Sequence, residues 1–144
     1  MKTGIIVQAR MSSQRLPGKV LTMVNGKPLL QYLLERLTHC SSIDQIVVAT
    51  SEDKSDDPIA VFCHEYGALC FRGPLKNVAK RFYMALEKYN LDAFVRVCAD
   101  SPMLDQKLID KGVKLFNGEY DLVTNILPRS YPAGQSVEVI RAST

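Results

Sequence analysis

Short apolar runs alternate with longer segments of helical periodicity along nearly the whole chain, and this alternation restricts the fold more than any other feature. Buried strands read as continuous apolar runs, whereas an amphipathic helix repeats its apolar residues every three or four positions. The pattern predicts strands at 4–9, 45–50, 69–72, 93–98, 120–125 and 137–140. It predicts helices at 28–37, 58–66, 76–89 and 105–116.

Strands that alternate with helices of this length pair in parallel through right-handed crossovers. The 144 residues suffice for one substantial core but not for two ordinary domains. We therefore predict a single α/β nucleotide-binding domain over residues 1–144, with a doubly wound, mostly parallel sheet and helices on both faces. Ligands of such sheets bind beyond the carboxyl ends of the strands, which here means the loops 10–19, 50–57, 72–76 and 98–105.

Positive charge is concentrated at the start of the chain. The net charge is only +3, but residues 1–34 hold five basic residues and no acidic one, while the remainder holds 13 basic and 15 acidic residues. So small a net charge does not indicate a nucleic-acid partner. The local excess indicates an anion site near the amino terminus, with chance clustering on a solvated face as the alternative.

The sequence pattern does not indicate a membrane protein or an extracellular protein. No apolar stretch approaches the roughly 18 residues of a spanning helix, and the amino terminus lacks the pattern of a signal peptide. The four cysteines are scattered without a Cys-x-x-Cys pair. Reduced thiols in a cytoplasmic protein are therefore expected, rather than disulfides or structural zinc.

The loop after the first strand, QARMSSQRLPGK at 8–19, is rich in hydrogen-bond donors. It lacks the Gly-x4-Gly-Lys-[Ser/Thr] pattern of a Walker loop and the Gly-x-Gly-x-x-Gly pattern of a dinucleotide fold. Serine hydroxyls and backbone N–H groups, the planar fork of Arg15 and the point charge of Lys19 suit a polyphosphate.

Three motifs resemble the opening of the cytidylyltransferases that make CMP-sugars: Ile6-Val-Gln-Ala-Arg10, Ser13-x-Arg15-Leu-Pro-Gly-Lys19 and Gly26-Lys-Pro-Leu29. This family includes the CMP-sialic acid and CMP-3-deoxy-octulosonate synthetases. The resemblance is greatest to the subgroup of spore-coat polysaccharide biosynthesis protein F, and it covers nearly the whole chain. It implies a nucleotide-diphospho-sugar transferase-like fold that is shortened at its carboxyl end.

The resemblance also implies a nucleotide site. Its residues would be Gln8, Ala9, Arg10, Ser12, Ser13, Arg15, Lys19 and Arg72. Arg15 and Lys19 would hold the triphosphate and act in catalysis, although Arg10 and Arg72 each have a plain surface or ion-pair role as the alternative. Arg81 is a weaker candidate, expected as a helix-surface charge or an internal ion-pair partner.

A second match, Val95-Arg-Val-Cys-Ala-Asp100-Ser-Pro, is similar to the family's strand that ends in Gly-Asp-x-Pro-Leu. By this resemblance Asp100 would be catalytic as a ligand of Mg²⁺, which is usually held by one or two carboxylates together with substrate oxygens. Its alternative role is to cap the turn before Pro102. Asp105 is predicted to cap the following helix.

The segment from Pro132 to Val139 is similar to the family's Pro-x-Gly-x-Asp-Val-Glu-Val. The resemblance implies a sugar contact or a second metal ligand there, at Ser136 and Glu138. Ser136 stands where an acidic residue is typical, which puts that second ligand in doubt, whereas Glu138 is retained.

The function implied by the resemblance is transfer of CMP from CTP to a sugar, such as a nonulosonic acid, with release of pyrophosphate, for surface polysaccharide synthesis. CTP, a small sugar and Mg²⁺ are the expected partners, without nucleic acid or membrane, and a homodimer stays open. One alternative is a non-catalytic module that binds a nucleotide or a partner. The other is a nucleotide-sugar-dependent glycosyltransferase, although the sequence lacks the Asp-x-Asp metal pair of that class.

Overall fold

The computed structural model describes all residues from 1 to 144. In chain order its elements are β1 (Thr3–Gln8), β2 (Met23–Val24), β3 (Lys27–Pro28), α1 (Leu29–Leu37), β4 (Gln45–Ser51), α2 (Asp57–Tyr66), β5 (Leu69–Gly73), α3 (Val78–Tyr89), β6 (Ala93–Cys98), α4 (Gln106–Leu115), β7 (Leu122–Thr124) and β8 (Glu138–Arg141). Short 3₁₀ turns cover Lys19–Leu21 and Lys54–Asp56.

The central sheet has six strands in the order β5-β4-β1-β6-β8-β7. The first four strands of this order are parallel, whereas β8 pairs antiparallel to β6 and β7 antiparallel to β8. In this register Gln8 lies beside Ala49 on one side and Cys98 on the other, and Ser51 lies beside Gly73. The carboxyl ends of the four parallel strands thus meet at one edge, and the prediction of a mostly parallel α/β sheet is confirmed.

Alternate residues of each strand pack on opposite faces, so the sheet divides the core in two. Ile5, Val7 and Val48 belong to the larger cluster, which also contains the buried leucines of α1 and the apolar residues of α2 and α4. Ile6 and Val47 belong to the smaller cluster, which contains the apolar residues of α3. Helices therefore cover both faces, as predicted.

The predicted elements are all present, and side-chain caps mark the starts of α3 and α4. Helix α3 begins at Val78, two residues later than predicted, because the Asn77 side chain accepts a hydrogen bond from Lys80 N at 2.9 Å. Asp105 caps α4 as predicted, since its carboxylate accepts from Lys107 N at 2.9 Å. None of the helices is both long and apolar enough to cross a membrane.

The Asn25-Gly26 turn closes a small β2–β3 hairpin. Both turn residues have positive φ, 48° and 81°, which is the geometry that favours Asn-Gly at this place. The four cysteines are free thiols, as the sequence predicts.

Candidate functional site

A polar cleft of about 280 Å³ opens at the carboxyl ends of β1 and β6. A second depression, of about 480 Å³, lies along the loop that follows β1 and shares Arg10, Ser12 and Ser13 with the cleft. Six sequence-predicted residues line the cleft: Gln8, Arg10, Ser12, Ser13, Lys19 and Asp100. The structure thus brings together most of the predicted nucleotide-binding set and the predicted metal ligand.

Lys19 and Asp100, which are 81 positions apart in sequence, form an ion pair between Nζ and Oδ2 across the cleft. Lys19 is directed there by Gly18, whose left-handed φ of 71° ends the loop and starts the 3₁₀ turn. Asp100 follows β6 and lies on the rim. Both side chains are partly exposed, at 30% and 43%, so their pairing contributes little to stability and can be exchanged for a bound ion.

Asp56 anchors the loop that follows β1 and lines the cleft, a role that the sequence did not indicate. Its carboxylate is fully buried and accepts hydrogen bonds from Met11 N at 2.7 Å and Ser51 N at 3.3 Å, and from the Ser51 hydroxyl. The amino-terminal loop is therefore tied to the end of β4. The sequence shows Asp56 only as one of two acids before a helix, so no local pattern reveals its long-range partner.

Arg81 is fully buried, and its expected role as a helix-surface charge is wrong. Its Nη1 donates to the Pro74 carbonyl at 2.8 Å, but Nε and Nη2 are buried without a hydrogen-bond partner. Nor does any carboxylate lie within ion-pair distance of it. Burial lowers the pKa of Arg81, as does the positive charge of Arg10, whereas Asp56 raises it.

Arg10 shares this environment, because its Nε is also buried without a partner. Ala9 is buried at the end of β1, with its N–H donating to the Ala49 carbonyl at 3.1 Å. Arg10 itself is half-buried, lines both depressions and forms no ion pair.

Arg15 and Arg72, like the buried Ala9, lie outside the cleft lining. Arg15 is exposed on the loop. Arg72 holds the loop after β4, where Nε donates to the Ser51 carbonyl and Nη2 to the Asp53 carbonyl, both at 2.9 Å, and Nη2 pairs with Asp57 at 2.7 Å. The guanidinium of Arg72 is thus already engaged by protein groups.

Glu138 is connected to the cleft through Arg96, which the sequence did not single out. Arg96 Nη1 donates to Glu138 Oε2 at 3.1 Å, and Nη2 lies 3.5 Å from Gln8 Oε1. Burial raises the pKa of Cys98, with Asp100 and Glu138 acting in the same direction and Arg96 opposing it. These charges therefore surround the Cys98 thiol at the end of β6.

Ser136 lies further out, where its hydroxyl accepts a hydrogen bond from Arg129 Nη1 at 3.2 Å. It is not among the residues that line the cleft with Asp100.

The donor set fits magnesium better than a transition metal. No group of three or more His, Cys, Asp or Glu side chains could hold a metal by itself. Asp100 supplies one accessible oxygen donor on the cleft rim, and Mg²⁺ is commonly held by one or two carboxylates plus phosphate oxygens. Zinc would need three or four protein ligands.

The mostly parallel sheet makes this an α/β protein, and the cleft with Arg10 and Lys19 lies beyond the carboxyl ends of its strands, where open α/β sheets bind their ligands. Within that class, the family model described as cytidylyltransferase matches residues 4–139. The chain belongs to the cytidylyltransferase family.

Individual relatives are consistent with this family assignment. The spore coat polysaccharide biosynthesis protein SpsF of Bacillus subtilis is 33% identical over 142 residues, which cover 96% of this chain and 58% of that protein. The structure of a cytidylyltransferase from Leptospira borgpetersenii has a TM-score of 0.94 and 35% identity, covering 99% of this chain and 61% of that one. A CMP-2-keto-3-deoxy-manno-octonic acid synthetase complexed with CTP has a TM-score of 0.76 at 17% identity, covering 99% and 75%, and shows the shared fold. The chain thus spans about three fifths of SpsF and of the Leptospira protein.

Proposed function

We propose that this chain carries the nucleotide site of an enzyme that transfers CMP from CTP to a sugar and releases pyrophosphate. The observation that carries the proposal is the meeting of Lys19 and Asp100 across a cleft lined by the donor-rich loop after β1. Family membership supports the reaction type. The name of the Bacillus subtilis relative supports a sugar acceptor and a role in surface polysaccharide synthesis.

In this proposal the loop binds the triphosphate. The hydroxyls of Ser12 and Ser13 are neutral donors, and the Lys19 ammonium turns from Asp100 towards a phosphate oxygen. Arg15, which is exposed, closes over the outer phosphates as a planar fork. These groups hold the α-phosphate for attack by a sugar hydroxyl and stabilise the negative charge of the departing pyrophosphate.

Asp100 would hold Mg²⁺, which when bound neutralises charge on the phosphate oxygens. The protein's share of catalysis is then positioning and electrostatics, since no side chain of the cleft is evident as a general base. Glu138 and Ser136 stay candidates for the sugar region, with Glu138 closer to the cleft through Arg96. A homodimer and a cytoplasmic location remain predictions.

The first experiment measures pyrophosphate release from CTP with Mg²⁺ and a panel of nonulosonic and octulosonic acids. Release with at least one acid is the expected result. Nucleotide binding without turnover for any sugar would favour the non-catalytic module instead.

The second experiment compares Asp100→Asn with Asp105→Asn. Asparagine caps a helix about as well as aspartate, so Asp105→Asn controls for the loss of one carboxylate in the same segment. We expect Asp100→Asn to reduce Mg²⁺-dependent CTP affinity about tenfold or more, because a charged ligand contributes at least ~1.5 kcal/mol. Thermal stabilisation by CTP with Mg²⁺ is the readout. Equal stabilisation of Asp100→Asn and the parent would contradict the ligand assignment.

A further inference from the structure

We propose that Cys63 and Cys70 are a redox-active pair of thiols, which a hydroperoxide oxidises reversibly to an intramolecular disulfide. Cys70 is the thiol that attacks the oxidant, and Cys63 is the thiol that then closes the disulfide. The pair lies on the face of the sheet that α2 covers, and neither residue lines the cleft. Oxidation of this site therefore does not depend on the binding of a nucleotide or a sugar.

The turn between α2 and β5 brings the two cysteines together. Ala68 N donates a hydrogen bond to the Cys63 carbonyl at 2.8 Å. Gly67, with a left-handed φ of 79°, donates to the His64 carbonyl at 3.3 Å. These two bonds are those of a Schellman motif, in which the residue after the turn packs back on the last turn of the helix. Strand β5 therefore begins directly beside Cys63.

The alternation of side chains along the strand places Cys70 on the same face as Cys63. Successive side chains of a strand point to opposite faces, so Cys70 shares a face with Ala68, two positions earlier. Ala68 and Cys70 pack against the larger core cluster, to which Cys63 belongs, whereas Phe71 packs in the smaller one. Across this contact the Cys63 thiol donates a hydrogen bond to the Cys70 sulfur.

The two thiols differ in their access to solvent. Cys63 is fully buried, whereas Cys70 is half-buried on β5, which is an edge strand of the sheet. A small oxidant thus meets Cys70 first. Redox-sensitive cysteines are typically accessible thiols of lowered pKa that lie next to a second, resolving thiol.

The charges around the pair support the same division of roles. The hydrogen bond from Cys63 lowers the pKa of Cys70, and the positive charges of Arg72 and Lys88 act in the same direction, against burial. The same hydrogen bond, together with burial, raises the pKa of Cys63. Because the thiolate is the nucleophile, Cys70 is the thiol suited to attack.

The other two cysteines lack this arrangement. Burial raises the pKa of Cys40 to about 12, and Cys40 Sγ faces the Gln106 carbonyl at 4.0 Å. Cys98 lies at the cleft, where burial raises its pKa as well. We therefore expect Cys70 to react with peroxide at least ~10-fold faster than Cys40 or Cys98.

The reaction takes two steps. The Cys70 thiolate attacks the terminal oxygen of the hydroperoxide and the O–O bond breaks, which leaves Cys70 as a sulfenic acid, while the departing oxygen takes a proton from solvent. The Cys63 sulfur then attacks the sulfenic sulfur and the S–S bond forms. The departing hydroxide takes the proton of the Cys63 thiol and leaves as water. The two sulfurs are oxidised, the peroxide is reduced, and exchange with an added dithiol restores both thiols.

Peptide mapping of the parent chain tests the pairing. The folded protein is treated with hydrogen peroxide, and free thiols are alkylated before digestion. Trypsin cleaves after Lys54 and Arg72, so residues 55–72 form one peptide that contains both cysteines. We expect this peptide to escape alkylation, to be two hydrogen atoms lighter than its reduced form, and to be alkylated at both sulfurs after dithiothreitol. Cleavage at Glu65 should give two peptides that stay joined until they are reduced.

Variants assign the two roles. Cys63→Ser removes the resolving thiol, so the reaction should stop at a sulfenic acid on Cys70, which dimedone traps. Cys70→Ser removes the attacking thiol, and the same peptide should then carry neither a disulfide nor a dimedone adduct. The double variant Cys40→Ser and Cys98→Ser is the matched control, because it keeps only the proposed pair and should form the disulfide at the parent rate. A dimedone adduct on Cys63 in Cys70→Ser, formed at the parent rate, would refute the assigned roles.

Three results would overturn the proposal. They are a 55–72 peptide that remains fully alkylatable after peroxide, a disulfide that joins Cys70 to another cysteine, and an oxidised product that dithiothreitol does not reverse. The urea-unfolded chain is the positive control for oxidation of exposed thiols. The map of the parent decides the matter if Cys63→Ser, at a fully buried position, does not fold. No nucleotide is present in this assay, so its outcome and that of the proposed function are separate.

Discussion

Replacing Asp56 with asparagine tests how the loop after β1 is held. Asp56 is fully buried and accepts one hydrogen bond at Oδ1, from Met11 N, and two at Oδ2, from the backbone and hydroxyl of Ser51. Asparagine has the same shape but carries no charge and has one acceptor oxygen fewer. If that oxygen keeps the bond from Met11, the amide group faces the N–H of Ser51, and two donors meet.

The cost can be worked out from these contacts. A hydrogen bond to a charged acceptor contributes roughly 1.5–3 kcal/mol, and a buried donor left without a partner costs ~1–3 kcal/mol. These contributions overlap, and the Ser51 hydroxyl can rotate to accept from the new amide. We therefore expect Asp56→Asn to lower the free energy of unfolding by about 3 kcal/mol.

Urea unfolding at pH 7, followed by circular dichroism, measures this loss. With a slope of about 2 kcal/mol per molar urea, the midpoint should fall by about 1.5 M while the slope stays the same. Asp53→Asn is the matched control, since exposed Asp53 caps the same turn by accepting from Ser55 N at 2.9 Å, and asparagine caps equally well. A change for Asp56→Asn below about 0.5 kcal/mol, no larger than that of the control, would refute the anchoring role.

Two further predictions concern helix ends and pH. Burial by itself raises the pKa of Asp110, but the bonds that it accepts from Ser42 and Ser41 outweigh this and lower its pKa overall. This carboxylate therefore stabilises the fold fully above its unfolded pKa of about 4, and Asp110→Asn should lower stability at pH 7. The difference in urea midpoint between the variant and the parent should shrink as the pH falls below that pKa. A difference that stays constant with pH would contradict this prediction. Asn77→Ala, which removes the cap of α3, should cost about 1 kcal/mol in thermal unfolding, whereas Asn77→Asp should be nearly neutral.

The order of helices and strands could be predicted because it depends on the local pattern of apolar residues. The runs around Ile6 and Val47 are apolar on both faces of a strand, and both lie in the sheet centre. The meeting of Lys19 and Asp100 could also be predicted, since parallel strands end at one edge and the family motifs place both residues there. The two-residue strands β2 and β3 are too short to leave a periodic signal.

Arg81, Asp56 and Arg96 show where local reasoning fails. Arg81 lies in a helix between Lys80 and Phe82, and a cation in such a context usually faces solvent. Its burial accompanies the close approach of α3 to Gly73, which is a matter of packing and leaves no periodic signal although the two residues are only eight positions apart. Arg96 lies within a predicted strand, and its partner Glu138 is 42 positions away.

The sequence alone determined the main helices and strands, their mostly parallel arrangement and the edge of the sheet that holds the donor-rich loop, because apolar periodicity, capping and strand direction act over a few residues. Only the tertiary structure decided which polar groups are paired and which are not. Hydrogen-bond satisfaction depends on the distances between segments that are far apart in the chain. The pairing of Lys19 with Asp100, the anchoring of the loop by Asp56 and the unpartnered nitrogens of Arg81 are therefore properties of the folded chain.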